Sequence, residues 1–212
     1  MDSVAIQLVK ILPSILWLLL IVAILVLFYR PICDELLPNL ANLKAMGVEL
    51  SFVKDSMNAA IELAEKSPQW KVEVSSRDKE LALSRARQHV KVFRNARILW
   101  VDDHPENNRN ELRMFRQLQA DIDIATSTEK ALDMLRNDDY DLILSDMARD
   151  DKAMAGLEFL EQCRKESKSI PVIFYIGVLD PTKGVPPQAF GITNRPDELL
   201  HLTLDVLERK KS

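Results

Sequence analysis

Three acidic side chains directly follow two short apolar segments of this chain. Ile98–Val101 runs into Asp102 and Asp103, and Leu142–Ser145 runs into Asp146. If both segments are parallel strands of one sheet, the three carboxylates meet at its carboxyl edge, where open α/β sheets bind ligands. Clustered carboxylates repel one another unless a cation neutralises them, and a site of oxygen ligands suits Mg²⁺. The spacing therefore predicts an acidic cluster able to hold a magnesium ion.

Helix capping is the simpler role for such acids, because the first turn of a helix favours anions. It accounts easily for one of Asp102 and Asp103, which stand just before an expected helix. It does not account for Asp146 at the end of a different strand, so we favour the cluster.

The elements that would position these acids follow an alternating pattern from Ala96 onward. Val172–Phe174 and other segments are almost wholly apolar, as in parallel strands covered on both faces. The alternation predicts an α/β fold with a doubly wound, five-stranded parallel sheet and right-handed crossovers. The expected strands are 97–101, 121–125, 141–145, 170–175 and 190–193, and the expected helices are about 106–119, 127–137, 153–167 and 196–210. A proline-rich stretch over 176–189 takes the place of one helix.

Residues 97–210 resemble the receiver domains of response regulators, which have a flavodoxin-like fold. The resemblance depends on four segments in the right order and spacing: Val101–Asp103, Asp141–Met147, Gly156–Leu160 and Pro171–Ile173. It implies a two-component phosphorelay, with a histidine kinase or a small phosphodonor as the partner that supplies phosphate.

The resemblance also assigns roles to the acids. Asp146 would accept the phosphoryl group as an acyl phosphate. Asp103 would bind Mg²⁺ directly and Asp102 through water, while Asp146 and the Ala148 carbonyl would supply further oxygens.

Two positions depart from the receiver pattern. Ile176 stands where receivers carry a Thr or Ser, and an isoleucine side chain cannot donate a hydrogen bond. Arg195 stands before Pro196 where receivers carry a Lys, and Arg is not a faithful substitute for a compact ammonium. The Gly177 backbone N–H and the side chain of Asn194 or Thr193 are the remaining candidates to face a phosphoryl group. The degenerate switch makes phosphorylation and phosphorylation-independent recognition nearly balanced.

The amino-terminal part of the chain predicts a transmembrane anchor. Residues 11–29 are apolar except for Pro13 and Ser14, and at about 1.5 Å per residue a helix of this length matches a bilayer core of about 30 Å. No small-residue cleavage site follows, which argues against a signal peptide. Basic residues after the span favour, weakly, a cytoplasmic carboxyl side. We therefore expect a single-pass protein of the inner (cytoplasmic) membrane, in contact with the lipid bilayer.

We divide the chain into the anchor (1–30), a mainly helical juxtamembrane connector (31–95) and the receiver-like domain (96–212). The connector pattern predicts an amphipathic turn over Leu36–Lys44, a strand over Val48–Val53 and a helix over Asp55–Lys66. A charged helix from Ser76 to Phe93 carries one apolar stripe. That stripe fits a homodimer interface and docking on its own domain equally well.

Composition excludes several functions. A net charge of -4 without basic clusters argues against nucleic-acid binding. Cys33 and Cys163 lie far apart, which argues against a metal motif and for reduced thiols in the cytosol.

The leading hypothesis is a membrane-anchored, receiver-like signalling module that is phosphorylated at Asp146 and is not an enzyme in its own right. The alternative is a pseudo-receiver that never takes phosphate and acts as a membrane-localised interaction scaffold. A Mg²⁺-dependent hydrolase is the third, although no Gly-rich phosphate loop or nucleophile constellation supports it.

Overall fold

A five-stranded parallel sheet forms the centre of the protein. The computed structural model describes residues 16–18, 20–21, 37–149, 152–166 and 169–211, with the backbone alone for 37–49 and 211. The strands are Arg97–Val101 (β1), Asp121–Ala125 (β2), Leu142–Ser145 (β3), Val172–Tyr175 (β4) and Gly191–Thr193 (β5), in the order β2-β1-β3-β4-β5. The predicted doubly wound sheet is therefore confirmed, with strand boundaries within two residues of those expected.

The helices named here are Leu37–Glu65 (α1), Ser76–Gln88 (α2), Arg109–Gln117 (α3), Thr128–Asn137 (α4), Ala155–Lys165 (α5) and Pro196–Lys211 (α6). Local sequence sets several of their starts. The Ser75 and Ser127 hydroxyls accept hydrogen bonds from the backbone at Asp78 and Lys130, which are N-cap interactions. Pro196 opens α6 with acids in its first turn, as expected from the helix dipole.

The strand order reverses direction at the centre of the sheet. The chain moves from β1 outward to β2, returns to β3 on the other side of β1, and continues to β4 and β5. The carboxyl ends of β1 and β3 therefore flank the switch point, the place where this class of sheet binds ligands.

The connection from β4 to β5 is irregular, as the prolines predict. It contains one short 3-10 turn, Pro181–Lys183, in place of an α-helix. Each proline lacks a backbone N–H and cannot continue a helical ladder, so this side of the sheet receives a loop.

The prediction of a strand over Val48–Val53 is wrong, and so is that of a separate turn over Leu36–Lys44. Residues 37–44 and 48–53 lie in the continuous helix α1. Burial explains the error: Phe52 is 52% exposed while Val53 is fully buried, and burial continues at helical spacing through Met57 and Ala64. A strand would have buried Phe52 with its alternate neighbours.

Helix α2 docks on its own domain. Ala82 and Ala86 are buried, and the Arg85 guanidinium donates to Asp205 (2.6 Å) and Glu208 (2.8 Å) of α6. Glu49–Ser212 accordingly form one compact unit. Of the two roles left open for the 76–93 stripe, packing within the chain accounts for most of its apolar residues, whereas Leu81 stays 53% exposed.

Most of the predicted anchor, 11–29, lies outside the described residues, as does Cys33. Its described part, Leu16–Leu18 with Leu20–Ile21, is helical and exposed. Within the described ranges, no helix combines the length and the apolar character needed to cross a bilayer.

Candidate functional site

The three predicted acids lie together at the switch point of the sheet. Residue Val101 of β1 pairs with Ser145 of β3, and the Asp146 N–H donates to the Val101 carbonyl (2.9 Å), so the ends of the two strands stay in register. One carboxylate oxygen from each of Asp102, Asp103 and Asp146 lies within 4.8 Å of the others. The sequence-predicted cluster therefore exists as a geometric arrangement.

The Asp102 carboxylate is buried and held from both sides. One oxygen accepts from the His104 backbone N–H (2.7 Å), and the other accepts from the Asn108 side-chain amide (2.5 Å). The first bond closes a local turn over residues 102–104. It is not a helix cap, because the next two helical segments have His104 and Asn108 as their N-cap residues, without a side-chain cap hydrogen bond. These bonds fix the direction of a charge that would otherwise be costly to bury.

The pKa of Asp146 is raised well above the usual value of an aspartate. Burial, followed by repulsion from Asp102 and Asp103, raises its pKa to about 6, against the opposing effects of the Met147 N–H and Arg149. The Met147 N–H donates to Asp146 Oδ1 at 2.7 Å. Asp146 is therefore mainly ionised at neutral pH but far easier to protonate than an ordinary aspartate.

Arg149 supports the end of β3 from below. Its side chain is only 2% exposed and donates to the Asp146 carbonyl (2.6 Å) and the Ser145 hydroxyl (2.9 Å). The guanidinium also lies over the Phe159 ring, 5.7 Å from its centroid. Sequence reasoning missed this residue, because an arginine near acids in a loop is typical of a solvated surface.

Gly156 allows α5 to approach the same strand end closely. A Cβ at this position would lie 2.6 Å from the Asp146 carbonyl oxygen and 2.8 Å from Phe174. The Gly156 N–H donates to the Met147 carbonyl (2.8 Å), which fixes the approach. The loop that follows Asp146 is therefore packed tightly at both of its ends, although Asp150 and Asp151 lie outside the described residues.

A pocket of about 430 Å³ opens above the acids. Of the other predicted site residues, Ala148 and Gly177 line it, as does Ile176. The lining that sequence reasoning did not foresee includes Trp70, Asn107, Asn108, Arg149, Lys152 and Tyr175.

The β5 side corrects two expectations. Arg195 does not line the pocket, because its guanidinium is bound to Asp197 (2.6 Å) and to Asp78 of α2 (3.1 Å). The Asn194 amide donates instead to the carbonyls of Trp70 (2.8 Å) and Gly177 (3.4 Å). Neither side chain takes the place of the receiver lysine in this arrangement.

The acidic cluster fits a hard divalent cation. Its converging donors are carboxylate oxygens, which Mg²⁺ prefers, and the described residues within reach add no thiolate. Three negative charges in a partly buried space are stabilised by a cation and strained without one.

The part of the chain that contains the three acids is similar to known proteins. Residues 98–182 match the sequence family described as Response regulator receiver domain. The chain is 30% identical over 89 residues to the sensor protein EvgS of Escherichia coli (strain K12), a region that covers 42% of this chain and 7% of that protein.

Two solved structures are similar to this chain at lower sequence identity. The chemotaxis response regulator CheY4 of Vibrio cholerae is 23% identical, with 53% of this chain and 98% of that chain covered at a TM-score of 0.45. The response regulator TrrA of Thermotoga maritima, solved with Mg²⁺ and beryllofluoride, is 24% identical, with 52% and 98% covered at a TM-score of 0.45. Residues 98–182 therefore match the response regulator receiver domain family, and the match covers less than half of the chain.

Proposed function

We propose that this protein accepts a phosphoryl group on Asp146, from a histidine kinase or a small phosphodonor, and passes the signal to a protein partner. The observation that carries the proposal is the convergence of Asp102, Asp103 and Asp146 within 4.8 Å in one pocket. An aspartate carboxylate can accept a phosphoryl group as an acyl phosphate, and the two carboxylates beside it suit the cation that would offset the charge of that group.

The chemistry follows from the state of Asp146. With a pKa of about 6, its carboxylate is available as a nucleophile at neutral pH. One of its oxygens would bond to phosphorus as the bond from phosphorus to the donor nitrogen or oxygen breaks, and the donor would leave with that electron pair. The Met147 N–H, bonded to Oδ1, holds the carboxyl plane during the attack.

A bound Mg²⁺ would offset the negative charge of the phosphoryl oxygens. Asp102, Asp103, Asp146 and the Ala148 carbonyl are the groups that would hold it. Asp102 is already oriented for this by His104 and Asn108, so little rearrangement is needed on binding.

The test is the intact mass of the full chain after incubation with acetyl phosphate and Mg²⁺. We expect the addition of one phosphoryl group, which is lost in Asp146→Asn and strongly reduced in Asp103→Ala. Glu106→Gln is the matched control, because Glu106 is an exposed acid close to the cluster but outside it. Unchanged labelling of Asp146→Asn would refute the assignment.

We further propose that residues 11–29 anchor the module in the inner membrane with the receiver domain in the cytoplasm. The support is the apolar run in the sequence. Alkaline extraction of membranes tests the anchor: the full chain should stay with the lipid, and a variant with Lys at Leu19 and Ile24 should be released. Protease protection in spheroplasts tests the orientation.

A second function is favoured by the β4–β5 side of the pocket. The side chain of Ile176 has no hydrogen-bond donor, and the Arg195 guanidinium is bound to Asp78 and Asp197. These contacts fit a pseudo-receiver that recognises its partner without phosphate. Full function of Asp146→Asn in cells, together with no labelling of the wild type, would select this alternative.

A further inference from the structure

Trp70 belongs to the pocket although it lies outside the matched family region. It is part of the segment between α1 and α2, before residue 98 where the family match begins. Its side chain is partly buried and lines the same pocket as Asp102, Asp103 and Asp146. A residue of the connector is thus built into the candidate phosphate site.

The indole lies against Gly177, at the end of β4. A Cβ on Gly177 would be 2.7 Å from Trp70 Nε1 and 2.9 Å from Cε2, so no other residue fits without displacing the ring. The edge of the indole that carries the N–H is therefore the edge closest to this backbone. Gly177 directly follows Ile176, the position where the hydrogen-bonding hydroxyl of a receiver is missing.

The backbone of Trp70 is held as firmly as its ring. Its N–H donates to the Ser67 carbonyl (2.9 Å), and its own carbonyl accepts from Asn194 (2.8 Å). The same Asn194 amide reaches the Gly177 carbonyl (3.4 Å). One side chain therefore joins the connector, the end of β4 and the end of β5.

An anionic ligand in this pocket requires hydrogen-bond donors around it. Phosphoryl oxygens only accept, and several donors around the pocket already serve other groups. Asn108 donates to Asp102, and Tyr175 donates to Glu111 (2.8 Å). An indole N–H is a donor only, so it suits a phosphoryl oxygen and cannot compete for the cation.

We infer that Trp70 is a binding residue of this site: its indole N–H donates to the phosphoryl group on Asp146 in place of the missing hydroxyl. This rests on the proposed function. Asn194 links Trp70 to the ends of β4 and β5. Phosphorylation of Asp146 would therefore act directly on the segment that joins α1 and α2. The signal leaves the site through the connector.

The first experiment follows the indole N–H of the full chain in detergent, with ¹⁵N-labelled tryptophan. Three indole signals are expected, from Trp17, Trp70 and Trp100, and Trp70→Phe identifies the second. Mg²⁺ with beryllofluoride, a mimic of the phosphoryl group, should move the Trp70 proton signal downfield and leave that of Trp17 in place.

The second experiment measures beryllofluoride affinity in the presence of Mg²⁺. Trp70→Phe keeps an aromatic ring and removes the donor, so affinity should fall about three- to tenfold, the value of one hydrogen bond. Trp17→Phe is the matched control and should bind as the wild type does. Amide exchange over 67–75 should slow on binding in the wild type and not in Trp70→Phe.

The outcomes separate the two proposals. If the wild type binds beryllofluoride but the Trp70 signal stays in place and Trp70→Phe binds equally well, the inference on Trp70 is wrong and the proposed function stands. If the wild type does not bind beryllofluoride at all, the proposed function fails, and the role of Trp70 fails with it. A melting curve of Trp70→Phe that matches the wild type excludes unfolding as the cause of weaker binding.

Discussion

The two sides of the pocket are built on different principles. On the β1–β3 side, Asp102, Asp103 and Asp146 line the pocket, and one carboxylate oxygen from each lies within 4.8 Å of the others. On the β4–β5 side, polar groups are consumed by contacts with the rest of the chain: Asn194 holds Trp70, and Arg195 holds Asp78. The β1–β3 side therefore suits a bound cation, whereas the β4–β5 side holds the connector.

This difference teaches that binding and signalling residues can change separately in one pocket. The acids depend on the ends of two strands that pair directly, so their geometry comes with the sheet. The residues after β4 and β5 lie on loops, where contacts can be exchanged at little cost to the core. Four predictions test this comparison, in order of the size of the expected effect.

Gly156→Ala should disrupt the acidic side most. The added methyl would meet the Asp146 carbonyl oxygen at 2.6 Å, and backbone cannot move aside as a flexible side chain can. Overpacking of this kind costs about 1–3 kcal/mol, and we expect about 2 kcal/mol after the gain in helix propensity. Chemical denaturation measures it, with Glu161→Ala, exposed on the same helix, as a neutral control. An equally stable Gly156→Ala would mean that the strand end is not tightly packed.

Arg195→Gln should damage stability without affecting the site. Asp197 is 2% exposed and would lose its ion-pair partner, which we expect to cost about 2 kcal/mol because Arg195 itself is partly solvated. Affinity for beryllofluoride with Mg²⁺ should stay as in the wild type. A large loss of affinity at unchanged stability would restore Arg195 as the substitute for the receiver lysine.

Affinity for Mg²⁺ should depend on pH through Asp146. Burial and neighbouring carboxylates raise its pKa from 3.8 to about 6, so the ion must displace a proton in acid. Affinity should fall about fivefold from pH 6 to pH 5 and level off above pH 7. Because the folded pKa is the higher one, the metal-free protein also loses stability as the pH rises from about 4 to about 6.

His104 requires a control in this titration. Glu106 and Asp103 raise its pKa above 6.5, so its imidazolium would repel a cation over the same range of pH. His104→Gln removes that charge, and the fall in affinity below pH 6 should remain. A flat profile in His104→Gln would assign the pH dependence to His104 in place of Asp146.

Ile176→Thr tests the β4–β5 side of the pocket and should have the smallest effect on stability and affinity. The side chain packs partly against the core, so its loss should cost about 1 kcal/mol. The new hydroxyl should raise beryllofluoride affinity by no more than about tenfold. Ile176→Val is the matched control, since Val and Thr share a shape and differ in the hydroxyl. Equal affinities in the two variants would show that this position no longer faces a bound phosphoryl group.

The sheet and the position of the three acids could be predicted from the sequence, because both depend on local patterns. Apolar runs that end in carboxylates specify strands and their carboxyl ends, as at Val101–Asp102 and Ser145–Asp146. The sequence was insufficient where function depends on contacts between distant residues. Trp70 and Asn194 are 124 positions apart, and no periodicity predicts that their groups meet.

The connector exposes a second limit of pattern reasoning. Val48–Val53 alternates as a strand would, but the same residues also fit one turn of a helix, and the longer burial pattern of α1 decides between the two. The expectation that Arg195 replaces the receiver lysine rested on the proline that follows it in sequence. In the structure its guanidinium is bound to Asp78 and Asp197 instead.

Arg149 gives the site an unusual tolerance to acid. Its guanidinium joins the Asp146 carbonyl, Ser145 and, at 3.3 Å, the Thr128 hydroxyl at the start of α4, and it keeps its charge at any pH a protein experiences. Acidification therefore neutralises the Asp146 carboxylate but leaves these contacts of Arg149 in place. A sample brought to pH 5 should bind the cation about tenfold more weakly than at pH 7 and recover its affinity within the mixing time on neutralisation, because no refolding step separates the two states.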